Sequence, residues 1–181
     1  MSIFSGRASS IISDSPSTLI FTPAATTEPI STATQSDAVP RTRVSRPKAG
    51  STFIIQSVKD KKVIAFWKGL VSLVEWDKPN TTIITRWECV ERGGWFGFRD
   101  PVSYQFLGCD YDALVCRNTT QNNNESFQVM ERKEREYELL IPSIKSSNLV
   151  GLRPVAIGSP PAGLKVVNKS SEATVWRFIE L

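Results

Sequence analysis

The sequence predicts an all-β chain: a β-trefoil of three four-stranded pseudo-repeats, preceded by a disordered tail. Three observations carry this expectation. Beyond residue 50 the apolar runs are short, rich in β-branched and aromatic residues, and bounded by Lys-Asp and Gly turns. No stretch of helical length sustains a 3.6-residue period with caps. Three segments end alike, as aromatic, two residues, apolar, acid: Trp87 to Glu91, Phe127 to Glu131 and Trp176 to Glu180, separated by 40 and 49 residues.

The tail comes first. Residues 1–50 hold seventeen Ser/Thr and five Pro, with Phe4 and Phe21 as their only aromatics. Such a segment buries too little apolar surface to offset chain entropy, and residues 1–50 are assigned to a disordered tail. Ser15-Pro16 and Thr22-Pro23 are Ser/Thr-Pro sites within it. Residues 41–48 carry Arg41, Arg43, Arg46 and Lys48, the whole of the formal net charge of +4. This basic segment is a candidate binding patch for an acidic surface or for nuclear import. Phosphorylation of Ser45 within it would reduce its charge. The remainder is nearly balanced, which argues against a nucleic-acid-binding face.

The domain is expected over residues 51–181, with repeats at roughly 51–91, 92–131 and 132–181. Strands are expected at 53–57, 62–66 and 70–74, and over 81–90 before Glu91. The second repeat has 95–100, 105–110, 113–117 and 127–131. The third has 137–143, 148–152, 163–167 and 176–180. Glu131–Glu138 is highly charged without an apolar face, so it reads as a turn between strands. Six strands would close a short barrel, which removes sheet edges, and six would cap one end. Trp87, Phe127 and Trp176 are then core residues, expected to meet at the pseudo-threefold axis. Gly69, Gly94, Gly108, Gly151 and Gly163 fall at turns or tight strand positions.

The chemistry is bounded by the residues it lacks. The chain has no histidine, so Ser-His-Asp triads, Cys-His dyads and His-ligated metals are excluded. Cys89, Cys109 and Cys116 are an odd number without a C-x-x-C pair, and read as buried free thiols; neither a metal nor a cofactor is expected. Four sequons, at Asn80, Asn118, Asn124 and Asn168, mark polar loops. The carboxylate pairs Asp110 with Asp112 and Glu75 with Asp77 would share one strand face about 6–7 Å apart. That is loosely compatible with glycoside hydrolysis. They flank turns, however, so a hydrolase is the third and weakest reading. Gly93 to Phe98 lacks the Lys-Ser/Thr of a phosphate loop. No catalytic residue is assigned.

The run from Gly93 to Asn118, GGWFGFRDPVSYQFLGCDYDALVCRN, with ESFQVME at 125–131, resembles the fascin-type β-trefoil repeat. LLIPS and LVGLRPVAIG in the third repeat fit the same group. The likeness spans roughly residues 51–181 and is strongest over 86–131. It is greatest to small, single-domain fungal proteins of the fascin-like, actin-crosslinking-related type. The resemblance implies a non-enzymatic module with a protein partner, actin being one candidate. A single trefoil binds a filament but crosslinks only if it dimerises or its tail adds a site, and no actin-contacting residue carries over. The alternative is a carbohydrate-binding trefoil using Trp67, Trp76 or Trp95 as exposed aromatics. The repeat ends contain no Q-x-W, which argues against the ricin type. The N-terminus lacks a signal-peptide pattern and no apolar run is long enough to span a bilayer, so a cytoplasmic or nuclear location is expected.

Overall fold

A computed structural model describes residues 43–76, 84–145, 148–158 and 163–181. Residues 1–42, with Arg41, Ser15 and Thr22, lie outside them, as do Asp77 and Asn80.

Thirteen strands are present among the described residues. A two-residue strand, β1 (Arg43–Val44), precedes three sets of four. The first set is β2 (Thr52–Ser57), β3 (Lys62–Trp67), β4 (Leu70–Glu75) and β5 (Trp87–Arg92). The second is β6 (Trp95–Arg99), β7 (Leu107–Asp110), β8 (Ala113–Cys116) and β9 (Gln128–Lys133). The third is β10 (Glu136–Lys145), β11 (Asn148–Ile157), β12 (Leu164–Val166) and β13 (Val175–Glu180). Each expected strand is matched by one of these twelve. The run expected from Thr81 becomes a strand only at Trp87; before it, Ile84 makes a single bridge to Phe66. The charged Glu131–Glu138 stretch is a hairpin end, turning at Glu134 and Arg135.

The first and last strands of each set form a closed ring. β2 pairs β5 and β13, β5 pairs β6, β9 pairs β10, and β10 pairs β13. Phe96 and Phe127 complete the circuit between β6 and β9 with reciprocal backbone hydrogen bonds of 3.0 and 2.8 Å. The middle strands form the hairpins β3–β4, β7–β8 and β11–β12. Lys165 opposite Ala113 stitches the second hairpin to the third. This is the β-trefoil: a six-stranded barrel with three hairpins.

Alternation along the barrel strands explains the core. Trp87, Phe127 and Trp176 are fully buried, as their spacing requires. They do not stack on one another; the described ring contacts run instead through Phe98 and Phe178, 5.5 Å apart, with Phe53, Phe127 and Tyr137 around them. The reason is that residues i and i+2 of a strand face the same side. Each ending therefore contributes a second inward residue: Cys89, Val129 and Phe178. One large ring fills what two small side chains leave, which close packing demands. Cys89 is thus a space-filling residue.

Burial pushes the Cys89 thiol up to about 12, with Glu91 adding to the effect. Burial raises Cys109 to about 11 and Cys116 to about 12. All three are free. The thiolate is the reactive form, so none is expected to react with an aromatic disulfide at pH 8 in the native state. All three should titrate in denaturant, and a fast-reacting native thiol would contradict this packing.

Gly108 shows why one strand position excludes a side chain. A Cβ there would lie 2.9 Å from the Asn124 carbonyl oxygen and 3.1 Å from the Glu125 side chain. Glu125 is buried and accepts hydrogen bonds from Asn118 Nδ2 (2.7 Å) and the Asn122 amide (3.2 Å). Neither neighbour moves cheaply. Gly108→Ala is expected to cost about 1–3 kcal/mol, the usual penalty for overpacking, measurable by urea unfolding. Asn118, one of the sequons, is thereby committed to a structural bond.

The tail boundary falls earlier than the composition indicated. Arg43 and Val44 pair with Glu180 and Ile179, and the Ser45 amide donates to the Phe178 carbonyl at 3.0 Å. Val44 packs on a small cluster of Ile54, Val63 and Ile179, and Pro47 is buried. Residues 43–50 therefore belong to the folded unit. Their composition misled because a two-residue strand carries no periodicity.

Candidate functional site

The tip of the β7–β8 hairpin is the most distinctive surface feature. Tyr111 sits in the turn at φ 54° and is 94% exposed. The left-handed conformation is that of a tight turn and is shared by Lys61, Lys68, Tyr104 and Arg135, so it is the exposure of the ring that sets Tyr111 apart. Beside it Asp112 accepts from Arg153 Nη2 at 2.6 Å. Arg153 projects from β11, and its Nε donates to Asn168 Oδ1 at 2.9 Å, just beyond β12. The Asp112 carbonyl also accepts the Val166 amide at 2.7 Å, which locks the turn onto β12. Three polar side chains from two repeats are thus held by one another, one residue along the turn from exposed Tyr111.

Asp110 and Asp112 are held by different partners. Asp110 ends β7 and binds Arg117 at 2.8 Å, whereas Asp112 binds Arg153. The turn separates them and gives each its own guanidinium. Glu75 lies 3.6 Å from Lys62 at the base of the first hairpin, and its expected partner Asp77 is outside the described residues. Asp110, Asp112 and Glu75 are thus each held by a cation of their own.

The three candidate tryptophans are not brought together. Trp67, 43% exposed, stands at the β3–β4 tip beside exposed Leu70, with Lys68 Nζ 4.6 Å from its ring centre. Trp76, 38% exposed, follows the other end of β4. Six residues of strand separate the two, about 20 Å at the usual rise. Trp95 opens β6 in the next repeat and is half-buried. The basic candidates diverge as well. Arg43 and Arg46 are exposed, but Lys48 is engaged with Glu180 at 2.8 Å. A separate groove of about 520 Å³ is rimmed by Lys59, Asp60, Glu136 and Glu172. Glu136 is already bound by Arg177 at 2.7 Å, and Asp60 by Ser57.

Arg153 and Asn168 were missed in the sequence. Arg153 is the one charge in an apolar run, and Asn168 stood out only as a sequon. They lie 41 and 56 positions from Asp112, so only the trefoil topology joins them.

No family model matches the sequence, and no curated protein does either. Solved structures do match. The designed threefold-symmetric protein ThreeFoil aligns with TM-score 0.54 at 13% identity, over 72% of this chain and 99% of its own. The Macrolepiota procera ricin B-like lectin, solved with lactose, aligns with TM-score 0.53 at 15% identity, over 74% and 98%. A GlcNAcα1-4Gal-releasing endo-β-galactosidase from Clostridium perfringens aligns with TM-score 0.57 at 10% identity, over 72% of this chain but only 32% of its own. At such identities the likeness is one of fold, and it agrees with the strand pairing described above: the chain folds as a β-trefoil.

Proposed function

We propose that the chain is a non-enzymatic binding module that takes a carbohydrate at Tyr111, Asp112, Arg153 and Asn168. One observation carries this reading: the fixed Asp112–Arg153–Asn168 array, whose Asp112 lies in the same turn as the exposed Tyr111. A pyranose has an apolar C–H face and a rim of hydroxyls. An aromatic ring suits the first, being a large apolar surface with a polar tip. Pre-oriented charged and amide groups suit the second, because small-ligand sites use a few placed polar groups for specificity. The lactose complex of a trefoil lectin makes terminal galactose the first sugar to try.

Titration with lactose by NMR or calorimetry is the test. Tyr111→Ala and Arg153→Met are each expected to weaken binding at least tenfold, with far-UV circular dichroism unchanged. A glycan array without hits, together with no spectral change on adding lactose, would sink the reading.

A second reading, a protein partner of the fascin-like kind, rests on a different surface. β10 and β11 are ten residues each, longer than the strands of the other hairpins. Their outer part exposes Ile144, Leu149, Val150 and Leu152. Exposed apolar residues on a sheet edge favour pairing with another chain. Actin co-sedimentation tests the filament version, and absence of pelleting at micromolar protein would remove it.

A further inference from the structure

We propose that Ser45 is a phosphorylation site, and that the phosphate unclasps β1 from β13. This inference is independent of the sugar site.

The clasp is a single carboxylate with three donors. Glu180 accepts from Lys48 Nζ (2.8 Å) and Ser51 Oγ (2.9 Å) at one oxygen, and from Ser45 Oγ (3.0 Å) at the other. Lys48 first, then the two hydroxyls, hold the Glu180 carboxyl down to about 2. It is therefore ionised at any physiological pH. A phosphate on Ser45 would bring up to two negative charges to within hydrogen-bond distance of this anion, with no proton left on Oγ to bridge them. The attraction that closes the clasp becomes repulsion.

The surroundings make Ser45 the acceptor among the two clasp hydroxyls. Arg43 and Arg46 flank it, both exposed, and Arg41 and Lys48 extend the basic run on either side. That pattern suits the acidic substrate cleft of an arginine-directed kinase. Ser51 has no arginine within four residues and only Lys48 near it, and its carbonyl is bonded to the Cys89 amide at 2.8 Å within the barrel. Ser45 is half-buried, but it follows a strand of only two residues. A two-residue strand opens locally at a cost below that of global unfolding, so a kinase reaches it by local opening. In the transfer, a nucleoside triphosphate supplies the γ-phosphoryl group. The Ser45 O–P bond forms as the bond to the diphosphate leaving group breaks, and the hydroxyl proton passes to the kinase base.

The full chain should be incubated with an arginine-directed kinase and ATP, and the product mapped by mass spectrometry. Hydrogen exchange should then be compared for unmodified, phosphorylated, Ser45→Ala, Ser45→Glu and Ser45→Glu/Glu180→Gln chains. Phosphorylated and Ser45→Glu chains are expected to exchange the Ser45 amide at least tenfold faster, with barrel amides such as Ile55 unchanged. Ser45→Ala should show a smaller increase, because it loses one bond without gaining repulsion. Adding Glu180→Gln to Ser45→Glu should recover protection. Failure to modify Ser45 in the full chain would overturn the proposal. So would retained protection in Ser45→Glu, which would mean that Arg43, Arg46 and Lys48 capture the new charge instead.

Discussion

Replacing Trp87 with alanine is expected to lower the unfolding free energy by about 3–5 kcal/mol, the range for removing a large buried aromatic. Trp87 is fully buried at the start of β5, and its indole Nε1 donates to the Ile64 carbonyl at 3.0 Å. The bond ties a barrel strand to the β3–β4 hairpin, so the loss combines cavity and connection. The pseudo-symmetric position gives an internal control. Trp176 is equally buried, but its Nε1 has no partner among the described residues. Trp176→Phe removes an unpaired polar group and should cost less than Trp87→Phe, which gives up a made hydrogen bond worth about 1 kcal/mol. Paired guanidinium unfolding curves measure both differences. A larger loss at residue 176 than at 87 would mean that the two indoles are not distinguished as described.

This asymmetry shows what the sequence could and could not disclose. The three repeat endings were legible because they combine a strand period with a large aromatic, and burial follows from that combination alone. The divergence behind them was not, because Cys89, Val129 and Phe178 compensate one another only in three dimensions. Arg153 and Asn168 were hidden for a similar reason. Their meeting with Asp112 depends on β12 lying between β11 and β8, and no local motif encodes it. Asp112 and Tyr111 were visible as turn residues, but a turn reads alike whether its ring is idle or presented to a ligand. The basic segment was read correctly as charge and incorrectly as unfolded, since its anchors are Glu180 and Phe178 at the far end of the chain.

That anchoring sets the second large effect. Deleting residues 1–42 keeps β1 and the clasp, and is expected to leave stability unchanged within about 0.5 kcal/mol. Deleting residues 1–50 should cost about 2–4 kcal/mol, because it strips the apolar cover of Val44 and Pro47 and two of the three bonds to Glu180, those of Ser45 and Lys48, leaving that of Ser51. The loss should carry a pH signature. The Glu180 carboxyl is held at about 2 in the folded chain, below its ordinary 4.5. A depressed carboxylate adds stability that is complete above the unfolded value and fades as pH falls through the folded one. The gap between the two truncations should therefore be full at pH 7, begin to narrow near pH 4.5, and lose its electrostatic part by about pH 2. Residual apolar cover should keep it from closing entirely. Urea unfolding of both truncations across this range decides the matter. Equal stabilities at pH 7 would place the boundary back at residue 50, and a gap that did not vary with pH would leave Glu180 no part in holding the first strand.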